Sequence, residues 1–219
     1  MIWRASHVAT SEDNPGTVTH CAENEEAMGK VSEANRRLAR ALSDAFGGEF
    51  RVHAYIDDER RNSVDVLSCP DRPQRGVASF GTIGLSDHPI YRDGKEIDVR
   101  AELVGACAAS FAELPNVLAS CAFEVIKARR FAAPGVIFPE AFAQYQRGGA
   151  LRHVMFVPPF LWEDLKPLRV GKKPVAWLLV VPISEAEMRL AIDEGPARLE
   201  TLLEQREVDI YDPCRSSVL

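Results

Sequence analysis

The chain has 219 residues, 46% apolar and 26% charged, with a formal net charge of −6. That length supports one well-cored domain or two small ones, with the composition of an ordinary globular protein. The acidic balance argues against generic nucleic-acid binding, which needs a basic face, and the longest apolar run, residues 175–183, is under half of a bilayer span.

Residues 1–27 lack periodicity and are rich in polar side chains, so they predict a flexible leader. Met28 directly precedes the first convincing helix, which raises the question of whether the leader is native. It has no apolar core of the kind a signal peptide needs. Cys21, Cys69, Cys107, Cys121 and Cys214 are odd in number and show no CxxC or disulfide-like spacing. Together these features predict a reducing, cytoplasmic setting.

A helix follows over 30–46, with Val31, Ala34, Leu38, Ala41, Leu42 and Ala45 on one face and Gly47-Gly48 ending it. Alternation then takes over. In "FRVHAYID", Phe50, Val52, Ala54 and Ile56 point one way and Arg51, His53 and Tyr55 the other. A polar turn over 57–62 leads to a second strand through Val64 and Val66, and a third is expected over 76–80. "EIDVRAELVG" reads as a strand with Ile97, Val99, Ala101 and Leu103 on one face and Asp98, Arg100 and Glu102 on the other. Such a meander of hairpins, with one wet face, favours an antiparallel sheet.

Helical spacing returns through Leu114, Val117, Leu118, Cys121, Val125 and Ile126. "PGVIFPEAFAQYQRGG" is broken by prolines and a glycine pair, so it predicts a loop holding a short strand. "RHVMFV" and "VAWLLVVPI" have the apolar character of interior strands. Ser184 with Glu187 forms a capping box for a short helix, Pro196 opens another, and "VDIY" suggests a last strand. The sum, over 28–219, is a single α+β domain: a mainly antiparallel, mixed sheet with helices packed on it.

The stretch "SFGTIGLSDHPIY" invites three chemical readings. It is no phosphate loop, because Gly81 and Gly84 precede Pro89 and a turn rather than a helix. Ser86, Asp87 and His88 are adjacent in sequence, whereas triad members converge from separate elements. A side-chain-capped turn remains. Cys107 and Cys121 fall on apolar faces as core fillers, and the histidines never pair at metal-ligand spacing. No catalytic residue, metal or cofactor is therefore expected. A rival reading keeps a hydrolase or transferase built on Cys107 or His88 with the acidic turn Asp57-Asp58-Glu59. Another keeps a structural homodimer formed through the apolar sheet edge.

Charge is uneven along the chain. Residues 127–173 hold nine basic and three acidic residues, and 193–212 hold seven acidic and two basic. Such blocks are either solvated surface or complementary to a charged protein partner.

The ordered set "FGTIGLSDHP", "VRAELVG", "ELPNVLASCAFEVI", "RHVMFVPPF", "VAWLLVVPISEAE" and "YDPCRSSV" resembles the suppressor-of-fused (Sufu) domain family from about Phe50 onward. The resemblance implies the fold of the Sufu N-terminal domain and non-catalytic binding of a protein partner, toxin-like or an extended peptide. Animal Sufu proteins hold an extended Gli-type peptide between two domains. This chain is similar to the first domain only. Bacterial single-domain members are placed among immunity proteins that neutralise a toxin by binding it.

On that resemblance Gly81, Gly84, Leu85, Ser86 and Asp87 form a structural turn, in which the glycines supply positive φ or close approach. The peptide-holding strand falls on residues 135–142. Val136, Phe138 and Glu140 would line one face, with Tyr145 beside them, and the mechanism would be β-augmentation. The basic Lys172 and Lys173 complete the expected partner-binding set.

Overall fold

The computed structural model describes residues 32–219, so the expected leader and the question of Met28 lie outside the described residues. The first helix, α1 (Glu33–Phe46), starts where Ser32 accepts the Asn35 amide at 3.0 Å and stops at Gly47, which takes φ +74°. Leu38, Leu42 and Phe46 form its buried stripe.

Ten strands follow, interrupted by helices: β1 (Arg51–Ile56), β2 (Ser63–Cys69), β3 (Val77–Ile83), β4 (Tyr91–Arg92), β5 (Lys95–Glu96), β6 (Arg100–Ala108), β7 (Ile137–Phe138), β8 (Leu151–Val157), β9 (Leu168–Val170) and β10 (Lys173–Ser184). Helix α2 (Leu114–Ala128) precedes β7, and α3 (Glu185–Asp193) and α4 (Pro196–Gln205) follow β10. The main sheet runs β1-β2-β3-β6-β10-β8-β7, with β9 on the opening residues of β10. Every pair in it is antiparallel except β6–β10, whose parallel pairing needs the long crossover through α2, β7, β8 and β9. The expected α+β mixed sheet with packed helices is therefore present.

The expected wet face is not. Two separate cores cover the sheet: one under α2, centred on Leu103, Leu118, Phe123 and Phe156, the other under α1, α3 and α4, with Leu42, Trp177, Ile183 and Leu199. Apolar residues on both faces of β8 and β10 produce their continuous hydrophobic runs. Glu102, placed on a wet face by alternation, is fully buried.

Four further elements differ from the pattern. The strand read as starting at Glu96 is split, because Lys95 and Glu96 pair back onto Tyr91 and Arg92 and the long strand begins at Arg100. The third strand continues past Phe80 to Ile83, and residues 208–211 are irregular, with a turn at 210–211, instead of a strand. On β1 the apolar face is the open one: Phe50, Val52 and Ile56 are 44–48% exposed, while Tyr55 on the opposite face is buried. Helix α1 packs over β2 and β3 and leaves β1 uncovered.

Two buried carboxylates tie the distant segments together. Glu102 on β6 accepts the Thr82 hydroxyl at 2.6 Å and the Gly84 and Ser86 amides at 2.9 Å each. It therefore holds the turn over Leu85–Asp87, where Gly84 takes φ +104° and Leu85 enters the core. Gly81 meets a different demand, since a Cβ there would lie 2.6 Å from Leu42 Cδ2. At the other end of the molecule, Glu187 closes the Ser184 capping box and receives Arg215 at 2.7 and 3.0 Å. Arg215 also donates to the Pro182 carbonyl, and Val218 N–H to Glu187, so the C-terminal segment is sewn onto the end of β10.

Candidate partner-binding edge

Strand β7 ends the sheet. Its ladder to β8 joins Ile137 to Met155 and Phe138 to Val154, and the Phe156 amide donates to the Val136 carbonyl at 3.0 Å. Antiparallel alternation then turns the N–H and C=O of Ile137 away from β8, where no described residue bonds to them. Gly135 enters the strand at φ +81° with its Cα against Pro196. Val136 and Phe138 face the α2 core. Phe138 is fully buried, with its ring edge-on to Phe156 at 4.8 Å and the Arg130 guanidinium 4.3 Å from its centroid. The side chain of Phe138 thus supports the strand from beneath.

Beyond Pro139 the strand is stopped by a latch. Glu140 sits in the left-handed region at φ +60°, and its amide donates to Nδ1 of the buried His153 at 3.0 Å. With Nδ1 accepting, Nε2 carries the hydrogen toward Glu185 at 3.0 Å. Glu140 forms a two-pronged ion pair with Arg152, and that hydrogen-bonded guanidinium holds its carboxyl below the usual range. Glu185 is paired with Arg189 at 2.9 Å. Ligand atoms of Glu140, His153 and Glu185 lie within 4.8 Å of one another, the spacing of a cation site. Each already has a partner, however, and the cluster acts as a clasp on the end of β7.

Next to this edge lies a cleft of about 660 Å³ between α2 and the loop after β7, lined by Phe123, Glu124, Lys127, Arg130, Pro139 and Gln144 among others. Tyr145 is half-buried, with its hydroxyl 2.5 Å from that of Ser120, which lines the cleft. Val136, Phe138, Glu140 and Tyr145 are thus gathered in one place. Lys172 and Lys173 are not, because they open β10 while Glu140 and His153 sit near its close. His153 pairs with Ile183, ten residues along β10, or about 33 Å. Lys172 is exposed, whereas Lys173 is bound to Glu96 at 2.5 Å and Asp98 at 3.6 Å.

The residues of the rival catalytic reading fall apart. The Cys107 thiol is buried, donates to the Phe111 carbonyl and is pushed up to about 12 by burial, which removes it as a nucleophile. His88 lines a separate polar cleft of about 240 Å³ with Asp65, Asp87, Arg61 and Asn62. Burial lowers its pKa, Asp87 opposes that, and no hydrogen bond joins its ring to a described residue. Asp57 from the acidic turn is buried, and its carboxylate is used up on the Arg61 and Asn62 amides and the Asn62 side chain. Sequence reasoning missed the roles of His153 and Glu185 in the latch. Both stand alone in sequence, and only the pairing of β8 with β10 joins them.

No described helix is long and apolar enough to cross a membrane. The family model for suppressor of fused protein (SUFU) matches residues 60–216. Immunity protein YqcF of Bacillus subtilis (strain 168) is 42% identical over 190 residues, covering 86% of this chain and 99% of that protein. Among solved structures, a SUFU homologue from Neisseria gonorrhoeae superposes with a TM-score of 0.65 at 13% identity, covering 85% of this chain and 97% of the homologue. A chain of the Sufu–Fu complex gives 0.60 at 12% identity, covering 84% and 92%. Drosophila Suppressor of Fused gives 0.62 at 11% identity, covering 84% of this chain and 51% of that one. Two buried carboxylate hubs built from the GLS, R-x-E-L, P-I-S-x-x-E and D-x-x-R-S segments, together with this match over most of the chain, lead to one conclusion: the chain belongs to the suppressor of fused (SUFU) family.

Proposed function

We propose that this chain is a non-catalytic binding protein of the immunity type, which neutralises a toxin-like protein by holding an extended segment of it along β7. The observation that carries the reading is the outward N–H and C=O of Ile137 at the end of the sheet, beside the α2 cleft. An added strand would take those groups, and its side chains would fall alternately into the cleft and onto solvent. The relative named an immunity protein, matched over nearly its whole length, supports the neutralising role. So does the Sufu–Fu complex, in which a chain of similar fold is bound to another protein. The exposed Lys172, far from β7, would steer an acidic partner rather than contact its core.

The test is co-purification of the partner from native lysate with wild-type protein and with Ile137→Pro. Proline removes the outward N–H, which an edge strand tolerates, and also shortens the half-buried Ile137 side chain packed on the second core, so the comparison is made below the melting temperature of the variant. Loss of the stoichiometric partner from the folded variant is the expected result. Retention at wild-type level would remove β7 from the interface. A homodimer is a second reading, favoured by the open apolar face of β1, and light scattering on the full chain distinguishes it from a monomer.

A further inference from the structure

The fold gathers part of the acidic block of 193–212 around a cleft of about 620 Å³ that the β7 reading does not use. Its floor is carbon from Val157 and Val181 of the sheet and Leu203 of α4, all buried. One lip is Phe160, which follows Pro158-Pro159 and is 62% exposed, among the most open large apolar side chains described. The facing rim carries Glu200, Glu204 and Glu207, all exposed.

These three glutamates differ from the other three that follow β10. Glu185, Glu187 and Glu194 each hold an arginine, but none of the three is in an ion pair with a described residue. Glu200 and Glu204 are four residues apart on one helix and repel each other. Glu204 stands in the last turn of α4 and Glu207 two residues past its end, at the negative end of the dipole; that last turn contains no basic residue, and the Arg206 that caps it is in no ion pair with a described residue. Each of these features raises the local free energy, and a cation brought to the rim relieves all of them. An apolar floor with a charged rim is also the anatomy of a protein-docking patch.

We propose that this cleft docks a cationic segment of a partner protein, which seats large apolar side chains against Phe160 and the floor and sets Lys or Arg against Glu200, Glu204 and Glu207. The inference rests on the reading of the chain as a partner-binding protein, and adds a second contact on a different element from β7.

The experiment selects a random peptide library displayed on phage against the full chain, then measures the affinity of a synthetic enriched peptide by fluorescence anisotropy. Enriched sequences are expected to combine large apolar residues with Lys or Arg. Affinity should fall about tenfold or more in Phe160→Asp and in Glu200→Lys/Glu204→Lys, and should weaken with salt. These substitutions lie on the surface, and urea midpoints within error of wild type show that the fold is intact. Enrichment without a basic excess, affinity unchanged by the charge reversal, or no enrichment over Phe160→Asp bait would each overturn the proposal. Peptides that lose binding in Ile137→Pro but not in Phe160→Asp would overturn it while leaving the β7 reading standing.

Discussion

Glu102 and Glu187 are both fully buried carboxylates, each accepting backbone amides that terminate a distant segment, yet they are stabilised in opposite ways. Glu102 has only neutral donors. Burial pushes its carboxyl up to about 7, against the pull of the Thr82 hydroxyl and the Gly84 and Ser86 amides. Burial also works to raise Glu187, but the Arg215 guanidinium and the Ser184 and Val218 amides outweigh it and hold that carboxyl below its usual value. The difference shows what a buried acid needs. Neutral donors can orient it and close a loop, but of these two sites only the one with a counter-charge keeps its carboxyl below the ordinary glutamate range.

The largest effect should come from removing that counter-charge. Arg215→Leu strands the Glu187 carboxylate and frees the C-terminal segment, which should cost about 3–5 kcal/mol in urea unfolding. A loss below about 1 kcal/mol would mean that the segment is not holding the end of β10.

The pH dependence separates the two sites by sign. Glu102 binds its proton more tightly folded than unfolded, so its contribution is complete below pH 4.5 and is lost as pH rises through about 7, a swing of about 3 kcal/mol. Glu187 is the reverse, contributing above the ordinary glutamate range and losing that contribution as pH falls through its lowered value. Glu102→Gln mimics the protonated acid and should flatten the stability profile between pH 4.5 and 7 while leaving the acid limb in place. A slope unchanged in the variant would show that another group carries it.

A third test probes the close packing at Gly81, the neighbour of Thr82 in the Glu102 hub. Gly81→Ala drives a Cβ to 2.6 Å from the fully buried Leu42, which has no room to yield, and should cost about 1–3 kcal/mol. Pairing it with Leu42→Ala should recover part of that loss, and strict additivity of the two would sink the packing explanation. The smallest effect is expected at the β7 latch, where Arg152→Gln breaks an ion pair that is half exposed on both sides. A shift of at most about 1 kcal/mol in thermal unfolding is expected there, screened further by salt.

The helices and the interior strands were legible from the chain itself. Gly47, the Ser184–Glu187 box and Pro196 punctuate their helices where local capping chemistry requires, and those interactions span only a few residues. The apolar runs of β8 and β10 announced burial on both faces. What alternation could not show is which face a neighbour covers. Phe50, Val52 and Ile56 form as good an apolar face as any in the sheet, but α1 sits over β2 and β3 and leaves them open. Glu102 looked like a solvent-facing residue because its partners, Thr82, Gly84 and Ser86, lie 16 to 20 residues away in sequence.

The same limit applies to the candidate sites. Residues 136–145 converge because a short strand and the loop after it lie together in sequence, whereas Lys172 and Lys173 end up about 33 Å from Glu140's neighbour His153 along a twelve-residue strand. The acidic block was visible as composition, but its position around an apolar cleft depends on where α4 and the loop of Phe160 meet. Capping, periodicity and charge density are local properties, and the sequence by itself determined them. The faces that are covered, the carboxylates that find a cation and the charges that surround a cleft depend on contacts between distant segments, and only the tertiary structure decided those.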